Sequence, residues 1–523
     1  MKKKALAGFV ASAAAVALLA TGCSSAATTA SSAGSTTLRM AFSSDMTTLD
    51  PTTIYQYEGN QVLTAVYEGL LEYKGDSTSE IQPLLAEAYT VSEDGLTYTF
   101  TLREGVTFAD GTVMDSAAVQ QSFERLADPD VASQMSYIVA GVASYATPDA
   151  NTFVVTLSAP NSSFLSLIAS PFGPKVINPT VLDAHSDDDA LEYLQRATAG
   201  TGPYEVTEFS TGQQYTLTRN DSYWGDEPYY EAVTFKIIPD AATQVLQLQG
   251  GDLDIISGQP IATVQSFAAN DEFEVSSLPT LQKAQLHFKT SGPLADLALR
   301  EALRSSIDRT ALVEQVWGDF AAESTQMYPV DNVADGLATD DWEVDTSTLA
   351  GLVSGASLTL GYLADQAQDK QVAEALQAQW QEAGVDITLV PIQGGGEIYG
   401  YSSDVASAPD MIYEASYPDS AHPDAWARLF WYSDTAAGNG VLNYLLGGVP
   451  AADALMDSGL TTLDAEASAA DYAEVGDLLH DSVSYVTIAD LQDTFIVRAG
   501  ITGLDHWLPA PGTLQLKTLT VSK

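Results

Sequence analysis

From Leu38 onward the apolar residues of the chain recur in two alternating rhythms. Tyr98 to Leu102 and Thr152 to Leu157 alternate apolar and polar positions, the period of a half-buried strand, and the Glu104-Gly105 turn closes the first of them. Leu38 to Phe42 is a further short strand. Ser116 to Leu126 instead carries Val119, Phe123 and Leu126 at helical spacing, and Gln61 to Leu71 is predicted as another helix. The clearest unit comes later. Ser357 to Tyr362 is strand-like, Gln366 to Glu382 is helical with Val372, Leu376 and Trp380 in register, and Val385 to Pro391 is strand-like again. Gly384 is well placed to end that helix. A strand, helix, strand crossover implies a parallel sheet with helices on its faces, so the pattern predicts α/β lobes. No internal repeat of fixed period interrupts it.

Length and charge narrow the picture. A chain of 523 residues, 46% hydrophobic and 17% charged, supports two or three packed units, each with its own core. The formal charge of -48 arises from 69 acidic residues against 21 basic ones. Beyond Lys4 no three basic residues cluster, which excludes nucleic acid as a partner and peripheral docking on anionic lipid. Any membrane attachment must therefore be covalent. Lys2, Lys3 and Lys4 precede an apolar run from Ala5 to Ala20 that is too short to span a bilayer comfortably, and residues 1–22 read as a signal peptide. Cys23 follows at once and is the single cysteine, so no intramolecular disulfide accounts for it. Its setting resembles a lipoprotein lipobox, with Ala20 where leucine is usual, and the resemblance implies a diacylglycerol thioether on Cys23. Residues 23–37 are expected to be a flexible tether.

No catalytic constellation is visible. His185, His287, His422, His480 and His506 are far apart, no Gly-x-Ser-x-Gly elbow or phosphate loop occurs, and Gly394-Gly395-Gly396 lacks the lysine of such a loop and reads as a flexible one. Asp187-Asp188-Asp189 lacks the alternate spacing of a metal loop and reads as a solvated face. Neither cofactor nor metal is expected.

Blocks spread along the chain resemble the extracellular solute-binding proteins of the peptide and nickel ABC importer family. They include Leu49-Asp50-Pro51, Tyr67-Glu68-Gly69-Leu70, Leu102-Arg103-Glu104-Gly105-Val106 with Phe108-Ala109-Asp110-Gly111, Gly200-Thr201-Gly202-Pro203-Tyr204, Gly250 to Asp254, and Leu299-Arg300-Glu301-Ala302-Leu303 with Ile307-Asp308-Arg309. Most of these have structural readings. Gly202 suits a turn with positive φ, Asp308 an N-cap for the helix bearing Leu312, Val316 and Trp317, and Arg309 a surface ion pair. The resemblance implies a two-lobed, periplasmic-binding-protein-like α/β fold with an inserted subdomain and a hinge between lobes. Lobe I is expected from residues 38–79, 199–284 and 491–523, the inserted subdomain from 80–198, and lobe II from 285–490. The chain would cross between lobes near Leu286 to Lys289 and Asp490 to Val497. It further implies a monomeric receptor rather than an enzyme, held on the extracytoplasmic side of the cell membrane, that hands its solute to permease and ATPase subunits.

The most informative segment is Tyr417-Pro418-Asp419-Ser420-Ala421-His422-Pro423-Asp424-Ala425-Trp426, which follows the apolar strand Asp410 to Ala415. Ligand crevices of α/β lobes open at such strand ends. The segment resembles the stretch of dipeptide-binding relatives that supplies an aspartate to the ligand's ammonium, which points to Asp419; His422 stands where an aspartate is common. The alternative for Asp419 is a helix or turn cap. Tyr417, Trp426 and Trp431 are candidate aromatic walls, with Tyr55 and Tyr57 behind them. Between Thr310 and Val497 only Lys370 and Arg428 are basic, against about thirty acidic residues. That field favours a ligand with a free amine and lacks an arginine for a terminal carboxylate, which suits a longer peptide better than a strict dipeptide. A nickel chelate, a sugar or another solute on the same fold, and a secreted hydrolase, stay open as alternatives.

Overall fold

The computed structural model describes residues 36–75, 77–78, 80–329, 339–352, 357–364, 366–435 and 439–522; Cys23 and the expected signal peptide, residues 1–22, lie outside them. Among the described residues an 11-stranded mixed sheet runs through most of the chain, and a four-stranded antiparallel sheet, Ala86–Val91, Thr97–Leu102, Thr152–Leu157 and Val142–Asp149, stands apart. The expected crossover is there: Ser357–Leu363 pairs in parallel with Asp386–Ile392, joined by the helix Ala367–Glu382 whose Val372, Leu376 and Trp380 are fully buried. Gly384 follows with φ +87, the left-handed position a glycine takes without steric cost.

Two long strands, Phe273–Phe288 and Tyr485–Arg498, pair antiparallel in the middle of the large sheet. On one side Phe273–Phe288 continues to Met411–Ser416, Ser357–Leu363 and Asp386–Ile392. On the other, Tyr485–Arg498 continues to Ile255–Ser257, Thr37–Phe42, Ala232–Ile237, Gln214–Arg219 and Tyr204–Ser210. Separate cores follow from this division. Leu38, Phe42, Tyr215 and Phe235 pack in one, Leu286, Leu303, Leu360 and Trp380 in another, and Phe100, Phe123 and Phe153 fill the four-stranded unit. The ladder between the two long strands lapses between Pro279 and Lys283, where proline offers no N–H. Lys283 then closes the gap, its Nζ 2.5 Å from Asp490 on the facing strand. Leu286 and Phe288, at the first expected crossing, are fully buried in the same core as Leu303.

Several family blocks turn out to be joints. Asp50 receives both terminal nitrogens of Arg125 at 2.8 and 2.6 Å in a buried bidentate pair that fastens the helix Ser116–Ala127 to the turn after Leu49. Asp308 caps the helix Arg309–Val316 by accepting from the Ala311 N–H at 2.9 Å, as expected. Arg309 is not at the surface: it is buried, donates to the carbonyls of Ser324 and Asp340, and stacks on Trp342. Gly202 does not adopt positive φ. It and Gly200 are glycines because the backbone lies against the end of the helix Tyr57–Val66, where added Cβ atoms would come within 2.7 Å of the Ala65 carbonyl and 2.0 Å of the Val66 carbonyl. The Gly202 N–H donates to that Val66 carbonyl at 2.9 Å. The helix therefore stops at Val66, short of the expected end at Leu71, which instead opens the strand Leu71–Tyr73.

Candidate functional site

The strand Met411–Ser416 is buried through its first four residues, and its carboxyl end delivers the loop Tyr417 to Pro423 before the helix Asp424–Trp431 begins. Partners from distant parts of the chain hold this loop. The Ser170 hydroxyl donates to the Asp419 carbonyl, the Ala421 N–H donates to the Tyr73 hydroxyl at 3.0 Å, and His422 Nε2 lies 3.2 Å from the Ser162 hydroxyl. The Asp419 carboxylate takes one phenol on each oxygen: Tyr55 donates to Oδ1 at 2.5 Å and Tyr137 to Oδ2 at 2.6 Å. Asp419 is thus a junction between the strand-end loop and two segments hundreds of residues earlier, and caps no helix. Only 6% of it is exposed. Burial raises its carboxyl above the usual range, the two phenol hydrogen bonds offset part of that rise, and no lysine or arginine contributes.

Tyr55, Tyr137 and Tyr399 keep 38%, 37% and 40% of their surface accessible, yet the protein packed around them drives all three phenols upward. These accessible rings, two of them bonded to the buried Asp419, outline a candidate cleft. Phe172 continues its wall, 5.3 Å from the Tyr55 ring and 6.1 Å from that of Tyr417. Carboxylates gather here. Burial raises the Tyr417 phenol, and Asp419, Glu58 and Asp493 raise it further. Asp493 itself is pushed up to about 7 by burial, against the pull of the Gly512 N–H that donates to it. The cleft is thus lined by aromatic rings and acids, an environment suited to a cation carrying apolar surface. Among the described residues no group of three or more His, Cys, Asp or Glu is arranged to hold a metal ion, and no helix is long and apolar enough to cross a membrane.

Residues 80–438 match the family model described as bacterial extracellular solute-binding proteins, family 5 Middle. The chain belongs to this family. Family 5 receptors bind the solute of an ABC importer, and the curated relatives of this chain carry matching names. The probable D,D-dipeptide-binding periplasmic protein of Escherichia coli K12 is 28% identical over 470 residues, 84% of this chain and 86% of its own. The glutathione-binding protein of Salmonella paratyphi A is 28% identical over 369 residues, 68% of this chain and 69% of its own. In fold, the crystal structure of NikA from Brucella suis in complex with Fe(III)-EDTA superposes with a TM-score of 0.83 at 23% identity, covering 93% of this chain and 100% of that one. The two-lobed architecture of these binding proteins is therefore that of this chain.

Within this family 5 fold the residues singled out from sequence part company. Asp419 and Tyr417 stay together on the strand-end loop, Asp419 bonded to Tyr55 and Tyr137 and Tyr417 stacked with Phe172. Trp426 and Trp431 are 0% exposed and pack behind it, edge to face against Phe430, with Trp431 also against Tyr485. They buttress the loop rather than line the cleft, because the helix Asp424–Trp431 turns that face into the core. The Tyr57 side chain lies outside the described residues. Sequence reasoning missed Tyr137 and Tyr399. Tyr399 had a usable signal: its helix Gly395–Gly400 follows the carboxyl end of the strand Asp386–Ile392, the same rule that drew attention to the segment holding Asp419, and Gly394-Gly395-Gly396 opens that helix rather than a free loop. Tyr137 had none. Its four-residue helix Ser136–Val139 carries no motif, and only folding brings it to Asp419.

Proposed function

We propose that this chain captures a peptide with a free amino terminus between its lobes and delivers it to a membrane permease and its ATPases. The observation that carries the reading is the Asp419 carboxylate, enclosed and without a cationic partner, with one phenol on each oxygen. A desolvated carboxylate gains most from a charge-assisted bond, and a ligand ammonium placed between Tyr55 and Tyr137 supplies one. Tyr417, Phe172 and Tyr399 offer the ligand apolar and aromatic contact. Ligand binding then favours the closed arrangement in which the loop Tyr417 to Pro423 meets Tyr55, Tyr137 and Ser162, and closure is the signal to the permease. A diacylglycerol on Cys23 keeps the monomeric receptor at the extracytoplasmic face of the membrane, and residues 491–523 return to lobe I.

A metal-chelate receptor is the second reading, favoured by the fold likeness to the Fe(III)-EDTA complex. An anionic chelate would enter a cleft of carboxylates against the field, which is why the peptide is preferred. Native mass spectrometry of protein purified without refolding tests both. An adduct that fragments as a peptide supports the proposal, an adduct carrying a metal isotope pattern supports the second reading, and steady cleavage of added peptide would replace both with a hydrolase.

A further inference from the structure

On the face of the large sheet that the helix Asp424–Trp431 covers, four buried polar side chains carry atoms without hydrogen-bond partners. Gln285 faces Glu414 across one strand pair and Thr487 across the other, and His287 lies two residues on, on the same face. Gln285, His287, Glu414 and Trp426 are 1%, 0%, 4% and 0% exposed. Both amide atoms of Gln285, both ring nitrogens of His287, Oε1 of Glu414 and the indole N–H of Trp426 have no hydrogen-bond partner. His287 Nε2 lies 3.2 Å from Glu414 Oε1, close enough to attract it but not aligned as a hydrogen bond. Buried polar groups are almost always paired, because an orphaned one forfeits its hydration for nothing. Adjacent orphans of this number mark a place built for an occupant.

The cluster adjoins the cleft. Burial raises the Tyr399 phenol, and Glu414 and then Asp419 raise it further, so both carboxylates act on this accessible ring. Glu414 and Asp419 are five residues apart on one segment, about 18 Å at full extension, a span that a short extended peptide with a long side chain covers. Chemistry selects the occupant. Glu414 and the Gln285 carbonyl oxygen are acceptors, and a His287 ring nitrogen is a third in the neutral imidazole, so a group rich in N–H donors and positively charged is what the site lacks. The Gln285 amide nitrogen and the Trp426 indole are left for ordered water.

We propose that Gln285, His287 and Glu414 form a side-chain subsite, backed by Trp426, that receives an ammonium or guanidinium group of the ligand. The inference rests on the peptide reading of the cleft and deepens it: the solute is a basic peptide, anchored by its amino terminus on Asp419 and by a lysine or arginine side chain on Glu414.

The test is calorimetry with alanine-based tripeptides bearing lysine or its uncharged isostere norleucine at position one, two or three. Wild type should prefer lysine at one position by at least about tenfold, as a buried charged contact requires. Glu414→Gln should bring that ratio near unity while the norleucine peptide binds within about twofold of wild type, and Gln285→Met should lower the ratio in the same direction should Glu414→Gln fail to fold. A wild type that binds norleucine peptides and never prefers lysine overturns the subsite but leaves the peptide receptor standing. So does a preference that survives Glu414→Gln. Failure of wild type to bind any of the peptides removes the peptide reading, and the subsite falls with it.

Discussion

Replacing Asp419 by asparagine preserves the size of the side chain and removes its charge, which separates anchoring from packing. The carboxylate accepts from Tyr55 at 2.5 Å and from Tyr137 at 2.6 Å. An asparagine keeps one carbonyl for one phenol and turns its amide nitrogen toward the other, whose hydroxyl then accepts instead of donating. The loop should survive, since its backbone bonds to Ser170 and Tyr73 do not involve the carboxylate. What is lost is the charge facing a ligand ammonium. Truncating one member of a buried charged pair costs about 2 to 5 kcal/mol, much of it from the stranded partner. At about 1.4 kcal/mol per decade, that is a loss of roughly 30-fold to several thousand-fold in affinity. Calorimetry with a free-amine peptide and its N-acetylated analogue, on wild type and Asp419→Asn, closes the cycle. The free amine should lose the full factor and the acetylated peptide far less. Equal losses for the two peptides would refute the anchoring role and make Asp419 a purely structural junction. Tyr137→Phe adds a control. It removes one neutral donor from the carboxylate and should cost less than the loss of charge, about 1.5 to 3 kcal/mol at most.

Four further outcomes are expected. Arg125→Met leaves the buried Asp50 carboxylate unpaired and should cost about 3 to 5 kcal/mol of stability in urea melts, whereas the double variant with Asp50→Leu should recover most of it; a double variant as unstable as the single one would contradict the desolvation argument. Burial lowers His422 from 6.5 to about 4, so the unfolded chain binds its proton first and this group costs stability as pH falls from 6.5 toward 4. The Asp493 carboxyl, raised from 3.8 to about 7, has the opposite sign, its contribution being lost as pH rises through that window; His422→Gln should flatten the acid limb and Asp493→Asn should steepen it, and pH-stability curves unmoved by either variant would deny both burials. Cys23→Ser should shift the protein from the detergent phase to the aqueous phase, and unchanged partitioning would exclude the lipid anchor. Small-angle scattering should give a smaller radius of gyration with saturating ligand, and an unchanged radius would argue against lobe closure.

The sequence by itself determined what depends on neighbours along the chain. Periodicity located the crossover from Ser357–Leu363 through Ala367–Glu382 to Asp386–Ile392, because half-buried strands and helices write their faces at spacings of two and three to four residues. The order of short blocks identified the family; the strand-end rule drew attention to the loop after Met411–Ser416, because a crevice at a strand's carboxyl end follows from local connectivity, and the resemblance singled out Asp419 within it. Charge composition excluded nucleic acid without any coordinates. Tertiary structure alone decided what depends on residues far apart. Gly202 looked like a turn glycine, but it is there to let the backbone touch the end of the helix Tyr57–Val66, a contact across more than a hundred residues. Arg309 looked like a surface cation, but carbonyls from Ser324 and Asp340 converge on it in the interior. Trp426 and Trp431 share a segment with Asp419 yet face the core, since a helix turns successive side chains through about 100° and only its docking selects which arc meets the cleft. Tyr137 and Asp419 meet at 2.6 Å from 282 positions apart. No local pattern encodes such a meeting, because it is set by the packing of one folded unit against another.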